Sequence, residues 1–285
     1  MRKNNRNGNK HLLVAAAIVA ALVVGFMLGR TGPTPKDKSP VPVKKTPAIE
    51  SPSKKPILPG IVKKFANPKI AIVIDDFGYN TNNLEKFLGI GEPITLSILP
   101  DQPYSVKVAE IAHSRRYETI LHLPLEPKDG SVKEEPGAVR SSMSDSQVSS
   151  RLNGELDSIP YIDGVSNHMG SKGTEEKRLM SVIFSELKKR KLFFFDSLTS
   201  ADSICRDAAK SSGIRYARRD VFLDIPNTPA DIEKRILEVR RLAFRKGYAI
   251  AVGHDRHNTA TALKKFMPAM ASEGVEFVYI ADLAK

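Results

Sequence analysis

Three histidines and a tandem pair of aspartates stand where chemistry is most readily done, each at the end of a short apolar run. Asp75 and Asp76 close the run that begins at Ile70, and His122 ends the run 118–122. His168 follows the run 163–166, and His254 follows the run 248–252. Imidazole and carboxylate together are the ligands of a hydrolytic divalent-metal site, zinc or a similar ion, with one position left for water. Capping or turn formation accounts for one aspartate after a strand but not readily for two. Adjacent carboxylates can divide the labour, one holding a metal and the other taking a proton from its water. Asp196, Asp224 and Asp282 end three further runs, and Asp255 follows His254. Asp224, Asp255 and Asp282 read as turn formers or helix caps, and His113 and His257 as structural histidines on a helix and a loop.

The elements that must position these residues alternate. Apolar runs near 70–75, 94–98, 118–122, 163–166, 192–196, 220–223, 248–252 and 275–280 read as strands. Helical patterns lie near 81–89, 103–115, 145–157, 174–190, 201–211, 229–246 and 258–272. Runs as continuous as Ile70–Ile74 or Leu192–Phe195 suit parallel strands buried on both faces. Strand–helix alternation predicts one α/β domain over 69–285, a barrel or a doubly wound sheet. In a parallel barrel all these strand ends open on one rim, where residues far apart in sequence converge.

The charge of the chain lies elsewhere. The formal net charge is +12, but residues 1–68 hold 13 Lys and Arg against 2 acids, leaving 31 against 30 in 69–285. A nucleic-acid domain carries its basicity on the folded surface, so no nucleic-acid partner is expected. Residues 1–11 form a basic tail expected on the cytoplasmic side, and 12–29 read as a transmembrane signal-anchor, uncharged from Leu12 to Leu28. The run is longer than the apolar core of a cleavable signal peptide, and Met27-Leu28-Gly29-Arg30 is a poor cleavage site. Either way the domain is expected on the extracytoplasmic side, periplasmic or cell-surface. Residues 30–68, rich in Pro and Lys, read as an extended spacer, whose Ile57, Leu58, Ile61 and Val62 pack onto the domain as a lead-in. The lone Cys205 forms no intramolecular disulfide. Nothing in the sequence sets the oligomeric state.

The run Ile74-Asp75-Asp76-Phe77-Gly78 resembles the Asp-Asp motif of polysaccharide deacetylases. Leu121-His122-Leu123-Pro124-Leu125-Glu126-Pro127, Asn167-His168-Met169-Gly170-Ser171, Phe195-Asp196-Ser197-Leu198-Thr199 and Gly253-His254-Asp255-Arg256 resemble more closely its divergent branch. The resemblance runs almost end to end through 69–285. It implies a single distorted (β/α) barrel of about seven parallel strands, NodB-like. It also implies metal-dependent deacetylation of an acetylated cell-envelope glycan. Carried over residue by residue, Asp75 is the general base, Asp76 a metal ligand and His254 the general acid. His122 matches the first His of the family's H-x-x-x-H metal motif, but Glu126 stands where the second belongs. Either Glu126 is a ligand or His168 completes an Asp–His–His set from the neighbouring strand; His168 is preferred, because imidazole suits zinc. Asp196 is a further candidate, to orient a histidine or bind metal. A glycan-binding or scaffold domain without turnover is the alternative. The chain has no Trp on which a sugar could stack; Tyr79, Tyr104 and Tyr161 are the available substitutes.

Overall fold

The computed structural model describes residues 58–61 and 63–285. The expected cytoplasmic tail, the anchor 12–29 and the spacer as far as residue 57 lie outside the described residues, as does Val62. No helix among the described residues is long and apolar enough to cross a membrane. Of the lead-in, Leu58 and Ile61 pack partly buried against the core. Arg240 Nη1 donates to the Pro59 carbonyl at 2.7 Å, which ties the segment down.

The strands are β1 (Lys69–Phe77), β2 (Thr95–Ile98), β3 (Thr119–Leu125), β4 (Gly164–Met169), β5 (Phe193–Asp196), β6 (Tyr216–Arg218), β7 (Val221–Phe222), β8 (Tyr248–His254) and β9 (Glu276–Val278). They pair in the order β6-β5-β4-β3-β2-β1-β8-β7, with β9 added to β1. Every pairing is parallel. The eight-strand path makes a parallel α/β half-barrel, with no pairing between its edge strands β6 and β7. The expected count of about seven was low: the stretch read as a strand at 220–223 holds β7, and the short edge strand β6 at Tyr216–Arg218 lies before it. Three residues at β6 and two at β7 are too few to show a period.

Seven helices cover the outside: α1 (Leu84–Leu88), α2 (Ser105–Ser114), α3 (Asp145–Ser158), α4 (Lys177–Lys189), α5 (Cys205–Ser212), α6 (Pro229–Lys246) and α7 (His257–Ser272), counted among the described residues. Their limits follow local chemistry. A Ser144–Gln147 capping box opens α3. Thr228 and Pro229 open α6, and Gly247 at φ 92° ends it in the left-handed conformation a side chain would resist.

The period of two along each strand divides the core. Ile70, Ile72, Ile74, Leu121, Leu123 and Phe194 face the helices. Ala71, Val73, Ile120, Phe193, Phe195, Ile250 and Val252 fill the concave side of the sheet. Both layers are almost fully buried, and each buried Phe or Ile contributes about 1.5–3 kcal/mol. The same alternation carries Asp75, His122, His168 and His254 onto the concave side, one layer above this apolar filling. The register confirms the level: Asp75 lies opposite His254, His122 opposite Ser166, and Pro124 opposite His168.

Candidate metal centre and active site

Asp76 is the exception to the alternation. By parity it belongs with Ile72 and Ile74 on the helix side. The register shifts between Ile74 and Phe77, and Asp76 adopts φ 68°. Together these turn its carboxyl into the rim. A left-handed non-glycine residue costs about 1–3 kcal/mol. Met169 and Leu198, at φ 53° and 51°, repeat the device at the ends of β4 and β5.

The carboxyl meets two imidazoles. Asp76 Oδ1 lies 3.4 Å from His122 Nε2 and 3.2 Å from His168 Nδ1. The two nitrogens are 3.2 Å apart. Asp76, His122 and His168 thus form a cluster whose ligand atoms face one another. Donors about 2.1 Å from a tetrahedral zinc stand about 3.4 Å apart, so the triangle has the size a metal requires. Its chemistry agrees. The buried Asp76 Oδ1, which has no hydrogen-bond partner, faces two ring nitrogens whose donor or acceptor role is set by the tautomer. Burial alone would raise the Asp76 carboxyl. The imidazoles of His122 and His168, with His254 behind them, outweigh burial and hold it well below the usual carboxylate range.

Neighbouring residues fix the rings. His122 Nδ1 lies 2.8 Å from Ser166 Oγ, which is 2.7 Å from Ser97 Oγ. A proton on Nδ1 directed at Ser166 leaves the Nε2 lone pair for the metal. Asp75 is 2% exposed. Its Oδ2 accepts from Ser197 Oγ at 3.4 Å, while Oδ1 is unpartnered and 3.6 Å from His122 Nδ1.

Across the rim, His254 Nδ1 donates to Asp224 Oδ1 at 2.7 Å. Asp224 Oδ2 accepts from the His254 backbone N–H at 2.8 Å and from Thr259 Oγ1 at 2.6 Å. Burial opposes charge on both partners. Their mutual hydrogen bond and charge prevail, so the His254 imidazolium is favoured and the Asp224 carboxyl stays below its ordinary range. Asp224 is therefore more than the turn former its position after a strand suggested. Its role depends on the β7–β8 pairing, which no local pattern announces. Phe222 stacks on His254, with centroids 5.9 Å apart at 14°, and the Arg219 guanidinium lies 3.6 Å from the Phe222 centroid. Arg219 donates to the Ser197 and Leu198 carbonyls at 2.6 and 2.8 Å. Burial lowers its pKa to about 10 against the pull of Asp196 and Asp75.

Two candidates fall outside the cluster. Glu126 accepts from Ser141 Oγ and backbone N–H at 2.6 and 2.7 Å and pairs with Lys172 Nζ at 2.9 Å. β3 stays extended through Leu125, and four extended residues travel about 13 Å, too far for Glu126 to share an ion with His122. His168, two residues beyond the His122 level on the adjoining strand, is within reach. Asp196 has the parity of Phe194 and points toward the helices. Its oxygens accept from the Leu198 N–H, Ser203 Oγ and Tyr216 hydroxyl at 2.7, 2.7 and 3.1 Å. It neither joins the metal cluster nor orients a histidine.

The fold is thus a parallel half-barrel with an Asp–His–His cluster at the carboxyl ends of its strands. The chain belongs to the divergent polysaccharide deacetylase family, which it matches over residues 72–284. It is 34% identical over 199 residues to Escherichia coli YibQ, spanning 70% of this chain and 62% of that protein's length. It is 35% identical over 200 residues to a Haemophilus influenzae protein, spanning 70% of this chain and 71% of the other. Among solved structures it resembles Agrobacterium tumefaciens ATU2773, with a TM-score of 0.73 and 24% identity over 79% of this chain and 92% of that one.

Proposed function

We propose that this protein is a metal-dependent hydrolase that removes acetyl groups from an acetylated cell-envelope glycan. The observation that carries the reading is the Asp76–His122–His168 triangle, with the unpartnered Asp75 Oδ1 on one side and the Asp224-held His254 on the other. Asp76, His122 and His168 would hold a divalent ion, zinc by the imidazole content of the set. Bound there, such an ion supplies Lewis-acid polarisation of the acetyl carbonyl and a water of lowered pKa.

The protein's own groups do the proton work. Asp75 Oδ1, with no competing donor, accepts the proton of the attacking water. Ser166 keeps the His122 proton on Nδ1, away from the metal side. Asp224 holds the His254 proton on Nδ1 as well, and an imidazolium there presents Nε2–H to the departing amine or alkoxide. Base and acid sit on hydrogen-bonded strands at the same register level, as two-sided proton transfer demands. We further propose that residues 12–29 anchor the chain, with the domain on the extracytoplasmic side and the spacer letting it reach the polymer.

The test is acetate release by the purified protein across N- and O-acetylated envelope glycans. Release that is lost in His122→Ala supports the reading. No release over a broad panel, with the polymer still bound, would assign the domain to glycan binding without turnover.

A further inference from the structure

A second group of buried, unpartnered atoms lies away from the metal centre. Glu155, on α3, is 2% exposed, yet neither of its carboxylate oxygens has a hydrogen-bond partner. Its nearest cation, Arg151 Nη1, stops 3.7 Å from Oε1 and belongs to a half-exposed side chain. Gly137, at φ 83°, closes over the carboxyl so tightly that a Cβ there would collide with Oε1. The Asp101 carboxyl also faces Glu155; burial first and this second acid raise the Glu155 pKa to about 7. A buried carboxyl without donors costs stability. Such a group calls for an explanation, and a bound ion or ligand that supplies the missing partner is one.

The space for that ligand is present. Glu155 and Asp101 line an open cavity of about 760 Å³ with Ser146, Gln147, Ser150 and Arg151. That volume falls within the range of small-molecule sites, about 300–1,000 Å³. The acids call for a cation, and the hydroxyls and amide beside them suit a polyhydroxylated molecule. A chain of side-chain hydrogen bonds links the edge of the cavity to the rim. Asp101 follows β2 by three residues, and its neighbour Gln102 donates to Glu135 at 3.4 Å. Glu135 in turn accepts from the hydroxyl of Tyr79, three residues beyond Asp76. Tyr79 and Tyr104 are exposed along this path and offer stacking faces for sugar rings.

We propose that this cavity binds an amino-sugar unit through its free ammonium group, set between Glu155 and Asp101, while another unit of the same chain occupies the metal centre. The proposal rests on the deacetylase reading and deepens it: the protein would favour glycans already partly deacetylated. Arg151 is the ammonium's stand-in when the cavity is empty, and it swings into solvent on binding.

Calorimetric titration of the purified protein with a glucosamine oligomer and with its fully N-acetylated counterpart tests this. The glucosamine oligomer should bind about tenfold tighter, as expected for one buried charged hydrogen bond. The difference should collapse in Glu155→Gln and widen in Arg151→Gln. Because Glu155→Gln removes a buried charge, its melting temperature should hold or rise. If that variant fails to fold, Asp101→Asn carries the same test. Equal affinities in the wild type overturn the proposal, as does a difference that survives Glu155→Gln. Calcium binding that is lost in Glu155→Gln and excludes the oligomer also overturns it, assigning the site to an inorganic cation. Acetate release is read in parallel. Release without the affinity difference sinks this proposal alone; the difference without release sinks the deacetylase reading alone.

Discussion

Glu118 at one end of the half-barrel and the Asp75–Asp76 pair at the other are buried carboxyls treated in opposite ways. At the entry of β3, Glu118 accepts from Thr95 Oγ1 at 2.7 Å and from the Ile280 and Ala281 backbone N–H groups at 3.1 and 3.2 Å. It is a satisfied structural acid that ties the C-terminal segment to the sheet. At the exit of β1, Asp75 and Asp76 are equally part of the sheet, yet each keeps a buried oxygen without a partner. Among the described residues, every buried side-chain atom lacking a partner lies in the metal centre or on Glu155. Burial is common to both; what separates Glu118 from Asp75 and Asp76 is whether the local chain completes the hydrogen bonds.

This contrast can be broken by substitution. Asp75→Asn should cost the most, lowering acetate release by about 10²–10⁴-fold, the usual worth of a general base. Its bound metal should be unchanged; metal loss would move Asp75 from proton transfer to ligation. Asp224→Asn should cost about 10²-fold in kcat, because the amide no longer favours the His254 imidazolium. A selective loss of the acidic partner predicts that substrates with good leaving groups suffer less. Ser166→Ala should leave the fold intact and weaken metal affinity about tenfold, the lower range for a residue that orients a ligand.

Glu118→Gln should barely touch turnover and instead change the pH dependence of stability. Burial raises the Glu118 pKa to about 7 despite its donors. The folded protein therefore holds this proton more tightly than the unfolded chain does. The resulting stability is complete below the unfolded carboxyl pKa and is lost as pH rises through about 7. Between about pH 5 and pH 8 the wild type should lose about 2–3 kcal/mol that Glu118→Gln does not. Parallel melting curves for the two proteins would refute this.

Much of the site was legible in the sequence because residue type and strand position coincided. His122, His168 and His254 each end an apolar run, and parallel strands bring such ends to one rim. What the sequence hid was pairing and parity. Asp224 looks like any aspartate after a strand until β7 is set beside β8. Asp196 looks like Asp75 until the alternation through Phe193 and Phe195 shows that it faces the helices. Glu126 holds a motif position, but the extended chain carries it past the cluster. Asp76 breaks the parity rule through a register shift and a left-handed backbone that no propensity foretells. Edge strand β6 was too short for its period to be read. Ser166, Ser97, Thr259 and Arg219 act only through contacts across strands and carry no sequence signal of their own.

The central claim is that Asp76 Oδ1, His122 Nε2 and His168 Nδ1 form a metal site to which Glu126 does not contribute. Metal content measured on the purified protein after zinc loading and desalting tests it most directly. The account predicts one ion per chain in the wild type and in Glu126→Ala, and none in Asp76→Asn or His168→Ala. An apo wild type, or an ion that survives His168→Ala and is lost in Glu126→Ala, would contradict it.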